Sequence, residues 1–229
     1  MKTIGVLGGI GPQATMDFEQ RVHRVSQRLI PQRLNTGYPP MIVLYVRHPP
    51  MLVSEMGRAR MPMQPDPRLL ESARRLGSLV DFLVIPCNSA HMLQTEIEQA
   101  AGRMVLSMID ATLDDVRRRE WKHVGVLGFG DPVVYTRPLA QRGVECETIG
   151  VEARPALDAA IFQLAEGRES VQTKSVASKA LADVRAKGVD GVILGCTELP
   201  LLLGELAEAQ DLIDPLQLLA EAAVKAAMT

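Results

Sequence analysis

Four residues, Gly5-Val6-Leu7-Gly8, return unchanged as Gly125-Val126-Leu127-Gly128, and a second phrase repeats behind them in the same order. Asp81-Phe82-Leu83-Val84-Ile85-Pro86-Cys87-Asn88-Ser89 is echoed by Asp190-Gly191-Val192-Ile193-Leu194-Gly195-Cys196-Thr197-Glu198. Chance supplies one short match between segments rich in Gly, Val and Leu, but it rarely supplies two in register. The offsets are 120 and 109 residues, so the copies differ in loop length and not in order. Such a chain is expected to fold as two similar halves, each with a buried strand ending in a cysteine turn. A length of 229 residues allows each half about 100, an ordinary domain size.

Short apolar runs at 4–7, 41–46, 82–85, 124–127 and 192–194 read as buried strands, with weaker candidates at 105–109 and 144–149. Amphipathic stretches at 16–29, 68–79, 92–101, 112–119, 138–141, 155–165, 171–186 and 216–227 read as helices. Asp66-Pro67 and Asp214-Pro215 look like helix caps followed by proline in the first turn. Strands alternating with helices at this spacing predict an α/β fold with mostly parallel sheets flanked by helices. The expected organisation is two pseudosymmetric lobes, 1–105 and 106–210, with a ligand site in the cleft between them. A C-terminal helix within 211–229 is expected to return to the first lobe.

Composition narrows the function classes. A formal charge of −2 argues against a basic nucleic-acid footprint, and eight aromatic residues leave little for base stacking. No apolar run reaches the ~18 residues of a membrane span, and the N-terminus has no secretory pattern. The expectation is a cytoplasmic protein with no membrane or nucleic-acid partner and with reduced thiols. Three cysteines are odd and sparse, so they do not make a disulfide framework.

The entry Gly9-Ile10-Gly11-Pro12-Gln13-Ala14 fits G-x-G-x-x-A after a strand. A dinucleotide reading also needs an acidic residue at the end of the next strand, and that strand ends Tyr45-Val46-Arg47-His48-Pro49-Pro50. The same glycines would let amides at Gly9 and Ile10 approach a small carboxylate, or would simply make a tight strand–helix turn.

Cys87 and Cys196 occupy matching strand ends, where ligands of open parallel sheets bind. The start of a helix there would stabilise a thiolate. Cys146, inside Gly143-Val144-Glu145-Cys146-Glu147, has no such setting and reads as structural. Disulfide exchange usually uses neighbouring cysteines, and these lie 109 residues apart. A zinc site could draw on Cys87, His91 and Cys196 but lacks paired-ligand spacing. A hydrolase would leave one thiol idle. Proton transfer at a carbon flanked on both faces uses both: one thiolate removes a proton and the opposite thiol delivers one.

With these residues in place, the chain resembles the cofactor-independent aspartate/glutamate racemase family, and within it the aspartate racemase branch. Gly8-Gly9-Ile10-Gly11-Pro12-Gln13-Ala14-Thr15 is similar to the branch's G-G-x-G-P-x-A-T opening. Pro86-Cys87-Asn88-Ser89-Ala90-His91 is similar to P-C-N-T-A-H, and Gly195-Cys196-Thr197-Glu198-Leu199-Pro200 to G-C-T-E-L-P. The resemblance implies Cys87 and Cys196 as the acid/base pair, with no cofactor and no metal. It implies Asn88, Ser89 and Thr197 as holders of the substrate's α-carboxylate and amino group, and Arg47 as the cation for a side-chain carboxylate. His91 would support the turn, and Glu198 would orient Thr197 or line the cleft. The implied substrate is an amino acid, aspartate or glutamate, and the implied assembly is a homodimer. Two segments depart from the family pattern. The threonine pair usual after the second lobe's first strand is replaced by Gly128-Phe129-Gly130-Asp131-Pro132. A usual lysine segment reads Ala165-Glu166-Gly167-Arg168, where Arg168 would substitute as the cation or Glu166 would reject a dicarboxylate.

Overall fold

The computed structural model describes residues 1–34, 36–53 and 62–229. The chain divides into two compact units, Met1–Met108 with Leu216–Thr229, and Ile109–Pro215. These divisions fall a few residues later than 105 and 210, because residues up to Pro215, including a short strand at Leu212–Ile213, belong to the second unit.

In the first unit, β1 (Ile4–Gly8) lies between β2 (Met41–Tyr45) and β3 (Phe82–Val84), all parallel. Side chains alternate across such strands. Ile4, Val6, Phe82 and Val84 accordingly share one core with Phe18 and Val22 of α1 (Pro12–Leu29). Leu219 and Ala223 of the C-terminal helix, Pro215–Met228, complete that core, and Lys2 N–H donates to Ala227 O at 2.8 Å. Leu7, Leu83 and Ile85 point the other way, onto Leu69 and Leu76 of α2 (Pro67–Gly77) and Ile97 of α3 (Gln94–Ala101). In the second unit the parallel order is β5 (Glu145–Glu147), β4 (His123–Leu127), β6 (Gly191–Leu194), β7 (Leu212–Ile213). Its helices are α4 (Met108–Arg118), which begins at the last residue of the first unit, then α5 (Val133–Gln141), α6 (Arg154–Ala165), α7 (Val171–Arg185) and α8 (Leu199–Leu203); the C-terminal helix above is α9.

The repeated Gly-Val-Leu-Gly has a packing cause. A Cβ on Gly5 would stand 2.7 Å from Val80 Cγ2, and one on Gly125 would overlap Val184, so each first glycine admits the helical segment preceding the neighbouring strand. A Cβ on Gly8 would stand 2.5 Å from Thr15 Cγ2, and one on Gly128 2.9 Å from Pro132 Cβ, so each second glycine admits the residues just beyond its strand. The valine and leucine between them are fully or almost fully buried in both units.

Several elements differ from the sequence expectation. The 105–109 segment contributes a single bridge, Val105 with Leu83, because α4 already starts at Met108. The helix expected at 138–141 begins at Val133 and carries Pro138 inside it. Leu199–Leu203, the 3₁₀ turn Gly204–Glu208 and β7 lie outside the expectation, since an unbroken leucine run carries no helical period.

Asp66 caps α2 as expected: its Oδ1 accepts from Arg68 N–H at 2.8 Å, and its Oδ2 meets the Arg68 guanidinium at 2.7 Å. The side-chain hydrogen bonds from Arg68 are the main cause that holds this buried carboxyl down to about 2. A depressed carboxyl contributes stability above its ordinary range and loses it as pH falls through the folded value. Asp66→Ala is therefore expected to cost about 1 kcal/mol in urea unfolding at neutral pH. The gap to the native chain should narrow between about pH 4 and 2; a constant gap would remove the charge from the explanation.

Candidate active site

β3 ends at Val84, and the chain turns at once: Cys87 N–H donates to Ile85 O at 2.8 Å, and a 3₁₀ turn runs from Ser89 to Leu93. Cys87 is half-buried, with Sγ 3.5 Å from Ser89 Oγ, while Asn88 beside it is buried. His91 fastens this turn. Its Nε2 accepts from Met108 N–H at 3.1 Å, so that nitrogen carries no proton and Nδ1 donates to Cys87 O at 3.0 Å. The ring is thus a neutral brace on the cysteine's own carbonyl. Both its nitrogens are engaged, which removes it from the zinc alternative. Among the described residues no three His, Cys, Asp or Glu side chains form a group that could hold a metal ion.

Because β1 is central, Gly9 and Ile10 emerge beside this turn, and Arg47 emerges on the other side of β1. Gly9 has φ +77°, and a Cβ there would lie 2.8 Å from Tyr45 Cα and Val46 N, so only glycine fits without strain. Its amide donates to Thr15 Oγ1 at 2.8 Å, and Thr15 Oγ1 donates to Gly11 O at 3.0 Å. A carboxylate approaching Gly9 would have to displace that hydroxyl. Arg47 is exposed and sits over the Tyr45 ring, 4.8 Å from its centroid, while Tyr45 Oη donates to Glu19 Oε1 at 3.3 Å.

The second turn is more enclosed. Gly195 N–H donates to Leu127 O at 2.6 Å, and a Cβ on Gly195 would meet that oxygen at 2.9 Å and the Tyr135 ring at 3.1 Å. Cys196, Thr197 and Glu198 are 8%, 6% and 7% exposed. The Cys196 thiol donates to Glu198 Oε2 at 3.1 Å, and Thr197 Oγ1 donates to the same oxygen at 3.0 Å. Tyr135, fully buried and bonded to Thr112, has its hydroxyl pushed far above the usual tyrosine range by burial. The thiol–carboxylate bond is the feature that residue spacing does not reveal; its one signal is Cys-x-Glu across a turn.

After Cys87 the 3₁₀ turn runs directly into α3, whereas Cys196 precedes only the five-residue α8, so the helix start expected from sequence has less dipole behind it at the second turn. The exposed Arg168 pairs with Glu166, its neighbour two residues back. Cys146 is half-buried in β5, its thiol pushed up by burial and then by Glu147. The β4–β6 register pairs Leu127 with Leu194, and Phe129 and Cys196 each lie two residues beyond that pair, in the turns that follow. Phe129 is 47% exposed and meets Phe162 edge-on, centroids 4.9 Å apart.

A broad specificity amino-acid racemase, RacX, from Bacillus subtilis (strain 168) is 27% identical over 232 residues, 96% of each chain. The aspartate racemase of Picrophilus torridus superposes with a TM-score of 0.78 at 21% identity, covering 100% of this chain and 95% of that one. An aspartate racemase homologue from Pyrococcus horikoshii OT3 does so with a TM-score of 0.74 at 22% identity over 100% of both. No helix among the described residues is long and apolar enough to cross a membrane. The model of the family described as Asp/Glu/Hydantoin racemase matches residues 7–223. Because that match runs through both units and takes in both cysteine turns, the chain belongs to the Asp/Glu/hydantoin racemase family.

Proposed function

We propose that this racemase inverts the α-carbon of an amino acid by two-base proton transfer between Cys87 and Cys196. The observation that carries the reading is the equivalence of the two turns: each cysteine follows the strand that pairs with a Gly-Val-Leu-Gly strand, in β1/β3 and in β4/β6. A thiolate sulfur takes the α-hydrogen as a proton and becomes a thiol. The electron pair left on carbon delocalises into the α-carboxylate, and the other thiol gives its proton to the opposite face, becoming a thiolate. The step requires both sulfurs to address one carbon. Asn88, Ser89 and Thr197, beside the thiols, are suited to hold the carboxylate and ammonium groups, with Gly9 and Ile10 near the first turn. No cofactor is needed, because the carboxylate itself accepts the charge.

Aspartate is the substrate we assign first, on Arg47, which leaves the same carboxyl end of the sheet as Cys87 and carries the cation a second carboxylate needs. Arg47→Ala should raise KM for L-aspartate by about 10- to 100-fold, the loss of a charged hydrogen bond, and leave KM for alanine unchanged. Equal effects on both amino acids would take Arg47 out of the side-chain pocket. Broad specificity is the second reading. It is favoured by Phe129 in the segment where the family usually has a threonine pair, by the pairing of Arg168 with Glu166, and by the likeness to a broad-specificity relative. Proton NMR of L-aspartate in D₂O tests the core of the proposal. The α-proton signal should disappear while D-aspartate accumulates. Absence of α-deuterium uptake with aspartate, glutamate and a wider amino-acid panel would refute racemisation, and binding without exchange would identify a ligand-binding protein instead. An assembly of two copies in the cytoplasm fits this reading, and sedimentation would measure the first part.

A further inference from the structure

The two cysteine turns match in sequence position but not in electrostatics. Beside Cys87 stands Ser89, whose hydroxyl is able to donate to a thiolate. Beside Cys196 stands Glu198, whose Oε2 already accepts from the thiol at 3.1 Å and from Thr197 at 3.0 Å. That oxygen accepts from both neighbours and donates to neither, the pattern a carboxylate makes. All three side chains of this second turn are buried, where charges are weakly screened. Removing the Cys196 proton would set sulfur and carboxylate oxygen, both negative, at about hydrogen-bond distance with no proton between them. Around this turn, Tyr135 of α5 is neutral and buried, and Asp214, which acts on Tyr135, is acidic.

We propose that Glu198 is a positioning residue that holds Cys196 as the thiol in the resting enzyme, so that Cys87 is the resting base and the two halves of the cycle are inequivalent. The inference rests on the two-cysteine reading above, but its first test does not need turnover. At rest the enzyme is poised for the enantiomer whose α-hydrogen faces Cys87. After that proton moves, Cys87 is the thiol and Cys196 the thiolate beside Glu198, and return of one proton from Cys87 to Cys196 restores the stable form. The atoms balance over the cycle, since the proton gained by one sulfur equals that given up by the other.

The inequivalence has a definite kinetic form. Enantiomers have equal free energy, so kcat/KM must be the same in both directions. The asymmetry then appears in kcat and KM taken separately. An enantiomer deprotonated by Cys196 finds only the minor form of the enzyme, which raises its KM. It reacts from the less stable thiolate, which raises its kcat in step. The native enzyme should therefore show higher kcat and higher KM for one enantiomer, the same one for every substrate tested.

Glu198→Gln keeps size and an acceptor for Thr197 while removing the charge. Iodoacetamide labelling of the full-length chain, followed peptide by peptide by mass spectrometry, should show Cys196 alkylated about tenfold faster in Glu198→Gln, with Cys87 unchanged. In the same variant the kcat and KM values of the two enantiomers should converge. Thr197→Val, which removes a hydrogen bond and keeps the charge, should leave Cys196 labelling slow. Unchanged Cys196 labelling in Glu198→Gln overturns the proposal, and so does equal acceleration in Thr197→Val, which would indicate loosening of the turn. Native kinetics with equal kcat and KM for both enantiomers would overturn it too, even if Glu198→Gln proved unable to fold. Faster labelling in a chain that exchanges no α-proton would uphold the role of Glu198 and refute the racemase reading alone.

Discussion

Cys87→Ser and Cys196→Ser should each lower racemisation by about 100- to 10,000-fold in both directions, while Cys146→Ser should stay within about twofold of the native rate. A serine hydroxyl keeps the shape of the thiol but is a far weaker acid, so it neither gives up its proton nor stands ionised to accept one at neutral pH on the required time scale. Loss of either partner stops the net inversion, because racemisation needs a donor on one face and an acceptor on the other. The substitutions should fold normally: Cys87 is half-buried, and serine at Cys196 still has the Glu198 carboxylate to accept its hydrogen bond. Cys146 serves as the control because its sulfur lies in β5, 3.6 Å from Val144 O, and burial followed by Glu147 pushes its thiol away from ionisation. Initial rates from each enantiomer by chiral chromatography, with circular dichroism to check folding, decide the matter. A single variant of Cys87 or Cys196 with near-native turnover would exclude the two-thiol mechanism.

The frame of both units is legible in sequence because its glycines are packing decisions. Gly5 and Gly125 have no room for a side chain, and each stands in a short apolar run that has no polar alternative to burial. The cysteine turns are legible for the same reason, as they interrupt those runs at the strand ends. The hidden features depend on distances through space. His91 braces the first turn through Met108, seventeen positions later, and no local pattern carries that information. Arg168, read from sequence as a replacement cation for substrate, pairs in the fold with the exposed Glu166 carboxylate. Glu198 looks like one more polar residue at a helix start; only the tightness of the turn brings its carboxylate onto Cys196.

Gly77→Ala should destabilise the chain by about 2 kcal/mol, against the usual direction for such a change in a helix. Gly77 is the last residue of α2, where alanine would ordinarily gain about 0.5–1 kcal/mol by restricting the unfolded chain. Here a Cβ would overlap the carbonyl oxygen of Ala101 and lie 2.9 Å from its Cα. Those are backbone atoms at the end of α3, so no rotamer change relieves the overlap; α2 and α3 have to move apart across a core of Leu69, Leu76 and Ile97. Overpacking of that kind costs about 1–3 kcal/mol and exceeds the propensity gain. For a chain of this size the melting temperature should fall by about 4–8 °C, with racemisation near native at low temperature. Gly102→Ala is the comparison: φ is +62° with nothing within 4 Å of the added atom, so it carries backbone strain of about 1 kcal/mol and no overlap. The sharper discriminator is the double variant with Ala101→Gly. Since the contact is with the Ala101 backbone, deleting its methyl should give no rescue, and the two costs should simply add or worsen. Recovery of the native melting temperature in that double variant would show that side chains, and not the approach of the two helix backbones, set the requirement for glycine at this position.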